Sequence, residues 1–259
     1  MSNFRRPKHL TTRRMQETRP NPPKEQAKAQ RPAREIRWNC PVAAKCGGCQ
    51  LTRLSYAEQL QWKQQRVTEL LDGICEVRPI LGMDDPFHYR NKVHAVLSVD
   101  KAGKPISGVY AMGTHRVVPV RHCLIEDRRA DRIIQTIVAM LPAYKLRIYN
   151  EYTHRGFLRH ILIRTGHVTG QIMVVLVATS LEFPGKKAFV QELIQRHPEI
   201  TTVVLNCNQR ETSMVLGTKE ITLYGEGYME DELCGKRFRI SPQTVSYTHL
   251  RAHETRSNL

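Results

Sequence analysis

The sequence predicts an α+β fold: a mostly antiparallel sheet with flanking helices, preceded by a cysteine-bearing loop and a disordered tail. Three observations carry that prediction. Apolar residues recur with helical period in three segments and with period two in the segments between them, and the strand-like segments follow one another at hairpin length. Three of the seven cysteines crowd together at Cys40, Cys46 and Cys49. The first 39 residues hold 11 Lys or Arg against 3 Glu and almost no aliphatic side chains, a composition that cannot bury a core.

Residues 1–38 are expected to be a disordered basic tail, because prolines at 7, 20, 22, 23 and 32 interrupt any regular structure. The cysteine loop follows at residues 39–54. In residues 55–74, Ser55-Tyr-Ala-Glu58 is a capping box, and Tyr56, Leu60, Val67, Leu71 and Ile74 recur on one stripe of a helix that Gly73 is placed to end. Residues 75–244 are expected to form the central α+β domain. Its first strand, residues 89–99, sets Tyr89, Val93, Ala95, Leu97 and Val99 on an apolar face and Arg90, Lys92 and His94 on a basic one. A second helix follows Asp127, with Ala130, Ile133, Ile134, Ile137 and Leu141 inward and Pro142 as its stop. Residues 158–165 and 171–179 flank Gly166-His-Val-Thr-Gly170 as a hairpin, and the second of these strands is apolar enough to be central. A third helix is expected over 184–197, and short strands over 201–208, 213–216 and 220–224.

The formal net charge of +16 favours a polyanionic partner, with nucleic acid first, because each Lys or Arg that meets a phosphate releases a counterion. The longest apolar run, residues 172–178, is far shorter than the roughly 20 residues that span a bilayer. No membrane contact is expected, and the chain is expected to be cytoplasmic and monomeric. An odd count of seven cysteines in that setting argues against a disulfide scaffold and for metal binding.

Cys40-Pro-Val-Ala-Ala-Lys-Cys46-Gly-Gly-Cys49 places three thiols in one tight loop, and the two glycines let its backbone fold around a compact metal centre. Cys123, just before the second helix, is the best-placed fourth ligand, since a helix start favours thiolate over thiol. Cys75, Cys207 and Cys234 have no cysteine neighbour and read as core or surface residues. Three readings compete: a 4Fe-4S cluster, a four-thiolate zinc site, and a redox pair at Cys46 and Cys49. Zinc ribbons usually bring two Cys-x-x-Cys knuckles and only one is present, which places iron–sulfur above zinc. A redox motif lacks its βαβ context.

The ordered set Cys-x5-Cys-Gly-Gly-Cys-Gln, Tyr56-Ala-Glu-Gln-Leu with Lys63, Tyr89-Arg-Asn-Lys-Val, His122-Cys123, Leu158-Arg159-His160 and Arg239-Ile-Ser-Pro242 resembles the RNA uracil-5-methyltransferases that carry a 4Fe-4S cluster, including the 23S ribosomal RNA enzymes. The resemblance covers about residues 38–244 and implies that Cys40, Cys46, Cys49 and Cys123 hold the cluster. It implies an enzyme that moves a methyl group from S-adenosylmethionine to carbon 5 of uridine, with a cysteine thiolate adding to carbon 6. The expected partner is RNA, 23S ribosomal RNA first, gripped by the basic strand faces of Arg90, Lys92, His94, Arg159, His160 and Arg164. In the family, the segment after Ile-Ser-Pro opens a Rossmann-like catalytic domain, whereas residues 245–259 keep none of its motif and look like a non-native ending. The expectation is therefore a chain without that domain, with no catalytic residue and no S-adenosylmethionine contact, and with the 55–74 helix losing the domain it packs on. A noncatalytic RNA-binding iron–sulfur or zinc module is the alternative; a small electron carrier fits the positive charge less well.

Overall fold

The computed structural model describes residues 37–211 and 214–244. The expected tail up to residue 36 and the expected non-native ending at 245–259 lie outside the described residues.

Helix α1 (Tyr56–Leu70) starts where the capping box places it. The Glu58 amide donates to Ser55 Oγ at 3.3 Å, and the Ser55 amide donates to Glu58 Oε2 at 2.6 Å. Gly73 follows in the left-handed region, at φ 71°. The helix buries only Tyr56 and Gln59, while Trp62, Val67 and Leu70 stay exposed. With so little tertiary packing, capping carries much of its stability. Ser55→Ala is expected to cost about 1 kcal/mol of helix stability, read as faster amide hydrogen exchange through residues 58–61.

The remaining elements are β1 (Lys92–Val99), β2 (Pro105–Tyr110), β3 (Val117–Pro119), α2 (Arg128–Met140), β4 (Leu158–Thr165), β5 (Ile172–Ala178), α3 (Lys186–Arg196), β6 (Ile200–Cys207), β7 (Lys219–Tyr224), β8 (Met229–Leu233) and β9 (Lys236–Ile240). The first seven strands form one sheet in the order β3-β2-β1-β4-β5-β6-β7, and β8 pairs with β9 as a separate ribbon. Helices α2 and α3 cover one face: Ile133, Ile137, Leu141, Phe189 and Leu193 meet Val93, Ala95, Leu97, Ile161, Ile163 and Val174 in the main core. The stripe expected for α2 is fully realised, with Ala130, Ile133, Ile134, Ile137 and Leu141 all buried.

Two expectations about the sheet are corrected. It is mixed, because β5 and β6 run parallel: the connection between them carries α3 across the face and returns the chain in the same direction, which a hairpin cannot do. The segment expected as a strand over 213–216 forms none at its described residues 214–216. β2, β3, β8 and β9 were not legible as strands, being short and lacking clean alternation.

The second face of the sheet is also covered. Leu162, Met173, Val175, Val177 and Val204 pack with Met229 of β8 and with Val215, Leu216 and Ile240. Asp231 ties the ribbon to the β4–β5 turn by accepting the amides of His167, Val168 and Thr169 at 2.9, 3.0 and 3.3 Å. Coverage on both faces is why β4 and β5 are buried along their whole length. It also decides where the basic side chains of β1 and β4 end up.

Candidate functional site

The cysteine loop is a run of turns, with the Ala43 amide bonded to the Cys40 carbonyl at 3.2 Å and the Cys46 amide to the Val42 carbonyl at 2.8 Å. The Gly48 amide points at Cys46 Sγ, 3.4 Å away. Gly47 lies against Met112 in the β2–β3 turn, where an added Cβ would stand 3.2 Å from the Met112 Cβ.

Cys123 reaches the same place by a different route. The segment before β1 pairs with the segment before α2: the His88 amide bonds the Leu124 carbonyl at 2.9 Å, the Arg90 amide the Ile125 carbonyl at 2.8 Å, and the Asp127 amide the Arg90 carbonyl at 3.1 Å. Asp131, in the first turn of α2, accepts the Cys123 amide at 2.8 Å. The result is a cavity lined by Cys40, Cys46, Cys49 and Cys123, with Val42, Ala43, Val109, Val120, Leu124 and Ile125 as apolar lining and Arg90 and Glu126 as charged lining.

Burial pushes the Cys123 thiol up to about 11, with the nearby Glu126 charge adding to it, and burial raises Cys49, helped by its neighbour Cys46. Thiols so placed become thiolates only beside a positive centre. Cys207, by contrast, donates its thiol to the Thr179 carbonyl at 3.5 Å, and Cys75 and Cys234 are exposed. Among the described residues, no group of three or more His, Cys, Asp or Glu is arranged to hold a metal ion.

The six basic residues expected to contact RNA divide. Arg90 lines the cysteine cavity. Lys92, His94, His160 and Arg164 share the second sheet face, with Lys92 opposite Arg164 and the His94 and His160 rings 4.9 Å apart. Arg159, His160 and Arg164 are buried. Arg164 donates to the carbonyls of Pro242 and Thr244, and Arg159 to those of Asn208 and Arg210 at 2.9 and 2.7 Å. Alternation along a strand assigns a residue to a face and says nothing of what covers that face.

No protein-family model matches the chain. It is 37% identical over 214 residues to an uncharacterized RNA methyltransferase of Clostridium tetani, a match that covers 81% of this chain and 46% of that protein. An uncharacterized RNA methyltransferase of Bacillus cereus is 36% identical over 210 residues, covering 79% of this chain and 46% of its own length. The chain is similar to RNA methyltransferases. It spans about half the length of these curated relatives. Among solved structures, the Pyrococcus abyssi tRNA (uracil-54, C5)-methyltransferase in complex with S-adenosyl-L-homocysteine matches with a TM-score of 0.61 and 21% identity, over 82% of this chain and 48% of that one.

This match corrects the expected fold class. In place of a mostly antiparallel α+β domain without a methyltransferase fold, the described residues form a seven-stranded mixed sheet with three helices that shares the fold of a solved methyltransferase. The match overturns the expected absence of a Rossmann-like methyltransferase fold, and nothing in it supports the expected absence of an S-adenosylmethionine site. No helix among the described residues is long and apolar enough to cross a membrane.

Proposed function

We propose that this chain works in an RNA uracil-5-methyltransferase, acting first on 23S ribosomal RNA, and that Cys40, Cys46, Cys49 and Cys123 hold a 4Fe-4S cluster. The observation that supports the cluster is the convergence of four cysteines, from two segments far apart in sequence, on one apolar cavity. Four cysteines on one apolar cavity offer a four-thiolate donor set, and the single Cys-x-x-Cys knuckle, where zinc ribbons usually bring two, favours the cluster over zinc.

The donor set fits the group. Cys40, Cys46 and Cys49 would supply three thiolates from the loop and Cys123 the fourth from the start of α2, with the Gly48 amide donating to the Cys46 sulfur. The role is structural, because methyl transfer to uracil requires no redox step: it fastens residues 39–54 to the sheet beside Arg90. S-adenosylmethionine would supply the methyl group in the complete reaction.

For RNA contact, Arg90 and Lys92 are proposed as the basic edge that meets backbone phosphates, while His94, held neutral by burial, adds no charge to it; Arg159 and His160 line a neighbouring cleft. Arg164, bonded to the carbonyls of Pro242 and Thr244, is a brace for the chain crossing that face. A monomer in the cytoplasm suits these roles.

The test is to delete the coding gene and map 5-methyluridine across ribosomal and transfer RNA by mass spectrometry. Loss of the modification from 23S ribosomal RNA is the expected result. Loss from transfer RNA alone would replace the ribosomal substrate, and an unchanged map would sink the enzyme reading.

A further inference from the structure

The four cysteines do not enter their cavity on equal terms. Cys40, Cys46 and Cys49 belong to one loop whose bonds are short-range: the Ala43 amide to the Cys40 carbonyl, the Cys46 amide to the Val42 carbonyl and the Gly48 amide to the Cys46 sulfur. Cys123 stands instead on the segment before α2, and that segment is bonded along its length. The Leu124 and Ile125 carbonyls accept the amides of His88 and Arg90 at 2.9 and 2.8 Å, and the Glu126 carbonyl is bonded to His88 Nδ1 at 2.7 Å.

The peptide of Cys123 itself is fixed by a side chain. Asp131 Oδ2 accepts the Cys123 amide at 2.8 Å, and Asp131 is only 6% exposed. The Asp131 amide donates to the Asp127 carbonyl at 3.2 Å, so the carboxylate stands on a formed helical turn. Its carboxyl is also hydrogen-bonded to that of Glu126, which lines the cavity. Within the segment so held, the backbone N–H groups of Ile125 and Glu126 favour the Cys123 thiolate, against the burial that disfavours it.

An acid in a first helical turn is ordinary where it faces water, because it meets the positive end of the helix. Asp131 is buried, and its charge opposes a thiolate at Cys123. Burying a carboxylate is unfavourable unless hydrogen bonds compensate it, and the bond to the Cys123 amide is one that does. Outer partners of this kind orient the ligands of metal sites. We propose that Asp131 is the positioning residue of the fourth cluster ligand: by holding the Cys123 amide it aims the Cys123 sulfur into the cavity before any cluster is bound. The proposal rests on the cluster reading above and adds to it the residue that readies the distant ligand.

The full chain, purified anaerobically, tests it. Asp131→Ala is expected to lose iron to EDTA about tenfold faster than the unaltered chain, the lower end of what removing an outer partner costs a metal site. Asp131→Asn keeps an oxygen that accepts the amide and should restore the slow rate. Asp127→Ala removes the cap of α2 and leaves Cys123 bonded, so it should loosen the helix without speeding iron loss. A misplaced fourth ligand also has a selective signature. Ferricyanide, taking one electron from the 4Fe-4S cluster of Asp131→Ala, should release one ferrous ion and leave a 3Fe-4S cluster, read by electron paramagnetic resonance. In the unaltered chain freed of iron, hydrogen exchange at the Cys123 amide should already be slow, a readout that needs no variant to fold.

Iron loss from Asp131→Ala at the unaltered rate, loss equally fast from Asp127→Ala, no rescue by asparagine, no three-iron signal, or fast exchange at Cys123 in the iron-free chain would overturn the positioning role and leave the cluster standing. An unaltered chain without iron and sulfide would remove the cluster reading and this role together.

Discussion

Replacing any one of Cys40, Cys46, Cys49 or Cys123 by serine is expected to strip iron and sulfide together from the anaerobically purified chain, whereas Cys75→Ser and Cys234→Ser leave both in place. The first four line one cavity, and the other two are exposed and outside it. A serine hydroxyl stays protonated where a thiol gives way to thiolate, so each exchange removes a ligand outright. The loss should exceed the roughly 10–100-fold that follows when an outer partner of a metal site is removed. Because the proposed cluster would join the 39–54 loop to the start of α2, its loss should also loosen that loop, in line with the general coupling of metal binding to folding. Iron and acid-labile sulfide content, with the visible absorption band, check this. Zinc without sulfide in the unaltered chain would replace the cluster, and iron content indifferent to Cys123→Ser would remove the fourth ligand.

Acid should unfold the chain through the paired histidines of the second sheet face. Burial, and then the charge of Lys92, take His94 down to about 4; burial, then His94 and Arg159, take His160 down to about 3. The packed chain holds both imidazoles neutral, with Lys92, Arg159 and Arg164 as the other cations near them, while the unfolded chain takes up protons near the ordinary value of 6.5. The folded state therefore binds fewer protons. The stability it gains is fully present above pH 6.5 and is lost as pH falls from there through about 4 and toward 3. Displacements of this size correspond to roughly 3–5 kcal/mol for either ring alone, and to less than the sum for two rings in contact. Urea unfolding midpoints from neutral pH downward should fall steeply, and the His94→Gln, His160→Gln double variant should show a shallower limb. Equal slopes in the two proteins would assign the acid limb to other groups, and the comparison cancels any acid lability of a bound cluster.

Helix α2 shows what local pattern can settle. Its apolar stripe at spacings of three and four dictates which side enters the core, and Asp127 caps it by accepting the Arg129 amide at 2.8 Å. The capping box of α1, the β4–β5 hairpin and the central place of β5 were legible for the same reason: each depends on neighbours within a few residues. The short strands β2, β3, β8 and β9 were not, because their partners lie elsewhere and their own periodicity is weak. The parallel pairing of β5 with β6 depends on the path of α3 across a face, which no strand pattern contains.

The candidate sites divide along the same line. Spacing alone marked Cys40, Cys46 and Cys49 as one group, and it placed Cys123 at a helix start. Nothing local could mark the bonds of Tyr110 and His115 to Glu151, which join a strand end, a turn and a loop and form only when β2 and β4 flank β1 in the sheet. Arg159, His160 and Arg164 were readable as a charged set with no means of telling which would be buried.

By itself the sequence determined the helices, the hairpin, the cysteine group and the net positive charge, because periodicity, capping, ligand spacing and composition act over a few residues or over the chain as a whole. Only the tertiary structure decided that Cys123 completes the cysteine cavity, that the β8–β9 ribbon covers the second sheet face, and that His160 and Arg164 on that face become buried. Those outcomes depend on which distant surfaces exclude water from one another, and burial of that kind is set by the packing of whole elements.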